Sequence, residues 1–319
     1  MMPMKNEVDF GLDRNASFRA RGFHHPAYAK SLAEFGHPRL LPNSGGWILE
    51  RSIPGFPFRD AMGPYPLFCC ERWDALPTDM SDLQSDLVSL ALVTDPFGRW
   101  SPFQLANSFT IVKPFKEHFI ADLHRSLESY VSPHHRYYAR KSLKKLHVAR
   151  CAEPAKHLSE WLELYGNLID RHKIAGIRAF SPESFEGLLE VPGLVMFRAT
   201  HEETAVGALL VYLHGEFGYV FLSAFTDEGY RLRAAYALRW IAMQELAADS
   251  RWLDMGAGAG LATADADGLT TFKRGWASET RPVYFCGKIF DKARYDEIVT
   301  AKQIMPTDFF PAYRVGEFA

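Results

Sequence analysis

Arg251-Trp-Leu-Asp-Met-Gly-Ala-Gly-Ala-Gly260, followed by Asp267-Gly-Leu-Thr-Thr-Phe-Lys-Arg-Gly-Trp276, decides the fold, because its two halves point to different enzymes. Taken alone, Asp254-x-Gly256-x-Gly258-x-Gly260 after an apolar run is a strand end whose small residues let a backbone approach a nucleotide. That reading suggests an S-adenosylmethionine methyltransferase or a dinucleotide enzyme. Such a loop opens a doubly wound sheet, so several strand and helix units must follow it. Gly260 stands too close to Ala319 for that, and the topology is expected to fail. The second half of the stretch, and the order of elements around it, carry the alternative.

At 319 residues the chain has room for one large domain or two ordinary ones. Its 47% hydrophobic and 23% charged residues describe a soluble globular protein, and no segment approaches the ~20 apolar residues of a membrane span. Integral membrane association is therefore not expected. Met1 to Arg21 mixes acids, bases and Asn without an apolar core, which is not a secretory signal, so cytoplasmic residence is expected. Cys69 and Cys70 are adjacent, Cys151 and Cys286 are isolated, and no C-x-x-C spacing occurs; reduced, mostly buried thiols are expected. The pairs His24-His25 and His134-His135 point their side chains apart in regular structure, so no metal site is expected. His-Glu-x-x-His, Gly-x-Ser-x-Gly and Walker motifs are missing from the sequence.

The net charge of −2 argues against a generally basic nucleic-acid binder, but the charges are unevenly spread. No acid lies between Glu128 and Glu153, where Arg136, Arg140, Lys141, Lys144 and Lys145 fall on one helical face and Ala139, Leu143 and Leu146 on another. This amphipathic basic helix is either a solvated surface or a phosphate-contacting one.

Around it the apolar runs Gly46–Glu50, Pro66–Cys70, Val88–Thr94 and Ser108–Lys113 predict strands, with a helix over Ser81–Leu87 and a longer helical stretch over Phe115–Tyr130. Further on, Glu153–Ile174 has a helical stripe, and Ser181-Pro-Glu starts a short helix with Ser as N-cap and Pro in the first turn. Three strands follow, Gly193–Ala199, Ala205–Leu213 and Phe217–Phe225, joined by hairpin-length turns. A helix at Leu232–Ala248, a strand at Trp252–Met255, a short helix at Gly268–Lys273 and a strand at Pro282–Ile289 complete the order.

That mixed α/β order resembles the GNAT acyltransferase superfamily. Phe272-Lys-Arg-Gly-Trp276 is similar to a helix ending found there after the fifth strand. The chain looks closer still to the Fem-type and BioF-like branch, which has two tandem GNAT-like domains. Arg136-Tyr-Tyr-Ala-Arg-Lys matches that branch's basic helix, and Leu253-Asp-Met-Gly256 with Asp267 to Trp276 matches its strand end and helix. The resemblance covers about residues 130–290 well and the first domain by strand pattern alone. It implies two mixed, mostly antiparallel sheets flanked by helices: an extension at 1–35, a degenerate GNAT-like domain at 36–148, and a catalytic one at 149–319.

The chemistry implied is amide formation, in which an amine attacks an activated acyl carbonyl. Backbone N–H groups in a gap between two strands stabilise the oxyanion; here that points to Leu222–Phe225, with Ser223 and Ala224, and to the strand ending at Asp254. The resemblance assigns charge stabilisation to Lys273, with Arg274 beside it, and makes Asp254 and Tyr284 proton-transfer candidates. Asp254 as a turn cap and Tyr284 as a packing residue are the structural alternatives. The pyrophosphate loop of acetyl-CoA enzymes corresponds to Glu228–Tyr236, where the glycines are missing although Tyr230, Arg231 and Arg233 remain as donor-binding candidates. No tightly bound cofactor is implied. The co-substrate is aminoacyl-tRNA, with Arg136, Arg140, Lys141, Lys144 and Lys145 contacting the tRNA, or alternatively an acyl-coenzyme A thioester. The acceptor is an amine on a small molecule or a cell-envelope precursor. A non-catalytic GNAT-like binding protein is the reading of another class.

Overall fold

The structure is a computed structural model and describes residues 20–258 and 268–317. Gly260 and Asp267, the end of the glycine series and the start of the second motif, lie outside the described residues, as does most of the expected extension.

Among the described residues eleven strands form one sheet: β1 His37–Leu40, β2 Trp47–Ser52, β3 Arg59–Met62, β4 Ser89–Val93, β5 Ile111–Asp122, β6 His147–Cys151, β7 Leu194–His201, β8 Thr204–His214, β9 Phe217–Phe225, β10 Trp252–Asp254 and β11 Glu279–Ile289. Their spatial order is β1-β2-β3-β4-β11-β5-β10-β9-β8-β7-β6. Eight neighbouring pairs are antiparallel, and β3–β4 and β9–β10 are parallel. Each half is thus an antiparallel meander closed by one parallel strand, and the strand that follows in sequence is exchanged. β5 leaves β4 and pairs with β10; β11 leaves β10 and pairs with β4. The two exchanged strands meet each other from Glu279↔Ile120 to Gly287↔Ile111. This mainly antiparallel sheet flanked by helices is the expected fold class, with the two expected sheets joined into one.

One face of the second half carries the helices Leu158–His172 and Pro182–Leu188, with Trp161, Tyr165 and Phe185 in the core. Ser181 caps the latter helix, accepting from Ser184 N at 3.1 Å. The other face carries Pro133–Ser142 and Ala234–Leu246, packed through Ala139, Ala237 and Trp276. Among the described residues no helix is long and apolar enough to cross a membrane.

The structure corrects several expected elements. The stretch Phe115–Tyr130 is not helical; β5 runs through Asp122, because Phe119, Ile120, Ala121 and Asp122 are all buried between strands on both sides. Pro114 is accommodated at a bulge, where Tyr284 pairs with Pro114 and Val283 with Lys116, leaving Phe115 as the extra residue. Pro66–Cys70 contributes only the bridge Phe68↔Thr94. The helix expected at Ser81–Leu87 is Leu76–Asp82 with a 3-10 turn at Leu83–Ser85. The basic helix stops at Ser142, whose hydroxyl donates to Leu232 O at 2.9 Å, so Lys144 and Lys145 lie beyond it. β3 carries no apolar alternation because Asp60, fully buried, pairs with Arg314 through two 2.9 Å hydrogen bonds.

Because the exchanged strands lace the halves together, thermal unfolding followed by calorimetry and near-ultraviolet dichroism is expected to give one coincident transition. Two resolved transitions would contradict the lacing.

Candidate active site

β9 and β10 pair for only three residues: Trp252↔Phe217, Leu253↔Gly218 and Asp254↔Tyr219. Beyond Tyr219, β9 stays with β8 as far as Phe225. The other chain turns toward β5 instead, with Met255 N donating to Phe119 O at 2.9 Å and Phe119 N to Gly256 O at 3.2 Å. A wedge opens between them, and no described strand fills β9's free edge over residues 220–225. Ser223, half-buried, and Ala224, fully buried, lie in this stretch.

Asp254 stands where the wedge closes. Its Oδ1 accepts from Gly256 N at 2.7 Å, which is the turn-capping role, and its Oδ2 lies 2.8 Å from Nδ1 of His118. Both side chains are buried. His118 was missed from the sequence because it falls in the stretch read as helix; on β5 it lies two residues from Ile120, the register partner of Asp254, and so shares its face. Deeper on that face Tyr219 donates to Asp95 at 3.1–3.2 Å, and burial pushes the Asp95 carboxyl up to about 7.

Lys273 reaches the same turn. Its Nζ donates to Ala257 O at 2.6 Å and lies 3.0 Å from the position a side chain at Gly256 would take. Gly256 has φ +72, which favours glycine independently. Lys116, which sequence reasoning passed over, donates to Gly258 O at 2.9 Å. The turn after Asp254 is therefore bracketed by two ammonium groups. Arg239 was also missed: it is buried, its Nε and Nη1 have no hydrogen-bond partner, and burial brings its pKa down to about 10 against the opposing pull of Asp254. An inward-facing cation on the buried face of a helix gives no periodic signal.

The helix Gly268–Arg274 is held by the start of the basic helix. Ser132 N donates to Gly275 O at 2.9 Å, Ser132 Oγ meets His135 Nδ1 at 2.6 Å, and His135 Nε2 meets Phe272 O at 3.0 Å. The His135 ring stands edge-on to Trp276 at 5.0 Å. Much of the Phe-Lys-Arg-Gly-Trp motif is thus an anchor that aims Lys273.

Other expected site residues fall elsewhere. Tyr284 lies five residues along β11 from Glu279, the strand's partner of Ile120, or about 17 Å at ~3.4 Å per residue; it packs on Trp100 at 5.3 Å. Arg231 is tied to Glu228, Nε to Oε2 at 2.6 Å. Arg233 lays its guanidinium 3.8 Å over the Tyr138 ring, and Tyr230 lies under Arg171 at 4.1 Å. Arg274 is the last residue of the helix that carries Lys273. Arg140, Lys141, Lys144 and Lys145 are exposed, Arg136 is half-buried, and Tyr137 beside them is 58% exposed.

Residues 133–274 match the Acetyltransferase (GNAT) domain family. No curated protein matches the sequence significantly. Among solved structures the fold is similar to that of FemX, at 12% identity and TM-score 0.66 over 89% of this chain and 97% of that one. It is also similar to the C-terminal domain of a putative lysylphosphatidylglycerol synthetase from Agrobacterium fabrum, at 14% identity and TM-score 0.60 over 87% and 91%. L-PGS from Bacillus licheniformis gives 13% and 0.54 over 90% and 99%.

A side chain at Gly275 would meet the His135 ring at 2.1–2.5 Å. Gly275→Ala is expected to cost about 1–3 kcal/mol as an overpacking change, seen as a lowered denaturation midpoint; an unchanged midpoint would show that the anchor is not tight.

Proposed function

We propose that this chain, whose residues 133–274 match the Acetyltransferase (GNAT) domain family and whose fold is similar to that of FemX, is an acyltransferase forming an amide from aminoacyl-tRNA and an amine. The observation that carries the reading is the wedge between β9 and β10, with Asp254 and His118 at its closed end and Lys273 on the turn beside it. In the proposed reaction the donor's acyl carbonyl enters the wedge. The amine nitrogen attacks its carbon, the ester bond to the ribose breaks, and the ribose oxygen takes up a proton. The Asp254–His118 pair receives the proton shed by the amine, and the β9 backbone with Lys273 opposes the charge on the tetrahedral oxygen.

Two features favour tRNA over coenzyme A. Arg231 and Arg233, the cations available for a pyrophosphate, are engaged by Glu228 and Tyr138. The exposed Arg140, Lys141, Lys144 and Lys145 adjoin Tyr137 and Tyr138, a basic and aromatic surface suited to a single-stranded acceptor end. The acceptor is proposed to be a small amine or an amine on a cell-envelope precursor, and the workplace the cytoplasm, where charged tRNA is found. The division into units at 36–148 and 149–319 and the auxiliary roles of Ser223, Ala224, Tyr230 and Arg274 in holding the donor belong to the same proposal. Tyr284, packed on Trp100, is given no step in the proposed reaction.

Lys273→Ala is expected to slow single-turnover transfer from radiolabelled aminoacyl-tRNA to a panel of primary amines by about 10²–10³-fold, the usual loss for an oxyanion partner. Full transfer with the variant would remove Lys273 from the reaction. Joint replacement of Lys141, Lys144 and Lys145 by Glu should weaken tRNA binding and flatten its salt dependence, since each lost phosphate contact lowers the slope by about one. If that variant binds tRNA as well as the parent while coenzyme A gives saturable micromolar heats in calorimetry, the donor is the thioester.

A further inference from the structure

We propose that His24, Cys69 and Asp95 form a site for a divalent transition metal with the donor preference of zinc. A ring nitrogen of His24, the Cys69 sulfur and a carboxylate oxygen of Asp95 lie within 4.8 Å of one another, and all three residues are buried. A tetrahedral ion with ~2.0–2.3 Å bonds holds its ligand atoms roughly 3.5 Å apart, so the trio needs to close by little more than about 1 Å. A separate observation points the same way: Nδ1 of His24 is buried without any hydrogen-bond partner. An orphaned ring nitrogen in the interior is costly, and a metal ion bound through Nδ1 would satisfy it.

The donors are one imidazole, one thiol and one carboxylate. That mixture suits zinc or cobalt and not calcium or magnesium, which take oxygen ligands. Its surroundings are built to orient the donors. Asp95 accepts from Phe97 N at 2.9 Å and from Tyr219 Oη at 3.1–3.2 Å, and the His24 ring stacks on His214 at 3.9 Å. Such outer contacts fix ligand orientation in metal sites. Binding releases the Cys69 proton, and any proton on Asp95, to solvent, with no change of oxidation state. His24 lies in the short turn Gly22–His24, Cys69 in the segment after β3 and Asp95 just after β4. One ion would therefore staple the N-terminal segment to the middle of the sheet. No local spacing in the sequence announces it, since each ligand comes from a different segment.

The inference does not depend on the acyl-transfer reading, and its test uses no activity. The full chain, stripped with a chelator, is titrated with Co²⁺ while the thiolate-to-cobalt absorption band and the melting temperature are followed. One equivalent is expected to produce the band and raise the melting temperature, because a ligand bound only by the folded state stabilises it. Cys69→Ser and His24→Gln should each abolish the band while Cys70→Ser keeps it. If Cys69→Ser does not fold, as judged by circular dichroism, His24→Gln carries the same readout. No stoichiometric uptake, uptake without a thiolate band, or a band that survives Cys69→Ser would overturn the proposal.

Discussion

The candidate site depends on a pairing that stops. β9 and β10 run parallel for three residues and part after Asp254, because the chain beyond Asp254 satisfies its backbone groups on β5 instead. Buried peptide groups must find partners, so a strand that turns away leaves β9 with a free polar edge in the interior of the sheet. In the proposed reaction a carbonyl group entering that wedge would meet N–H donors of the β9 edge, an arrangement that lowers an acyl-transfer barrier.

The exchange of β5 and β11 serves the same end. β5 supplies the ladder onto which Met255 and Gly256 turn, and it also supplies His118, the partner of Asp254. A site that would otherwise belong to the second half alone thus takes one of its two buried dyad residues from the first. On the opposite side the basic helix anchors the helix bearing Lys273 through Ser132 and His135. Residues that look like a charged surface in sequence are attached to a segment whose first turn is structural.

The second half was legible in the sequence because its strands alternate or run apolar and its helices carry caps, as at Ser181 and the meander Leu194–Phe225. The first half was less so. β3 is polar because a buried ion pair replaces apolar side chains, and β5 contains Pro114 and charges at Lys113, Lys116 and Glu117, a helical spacing, so it reads as a strand only once its position between β10 and β11 is known. Asp254 and Lys273 were found through a motif. His118, Lys116 and Arg239 were not, since each matters through a neighbour more than 100 residues away or, for Arg239, through burial without a partner.

The central claim is that the donor's acyl group lies in the wedge. Hydrogen exchange of the full chain with a non-hydrolysable, amide-linked aminoacyl-tRNA, and separately with an acyl-coenzyme A, reads this directly. The account predicts that the productive donor slows exchange at the backbone amides of residues 220–225 and 255–258. Saturating binding that leaves those amides unprotected, with protection confined elsewhere, would contradict it.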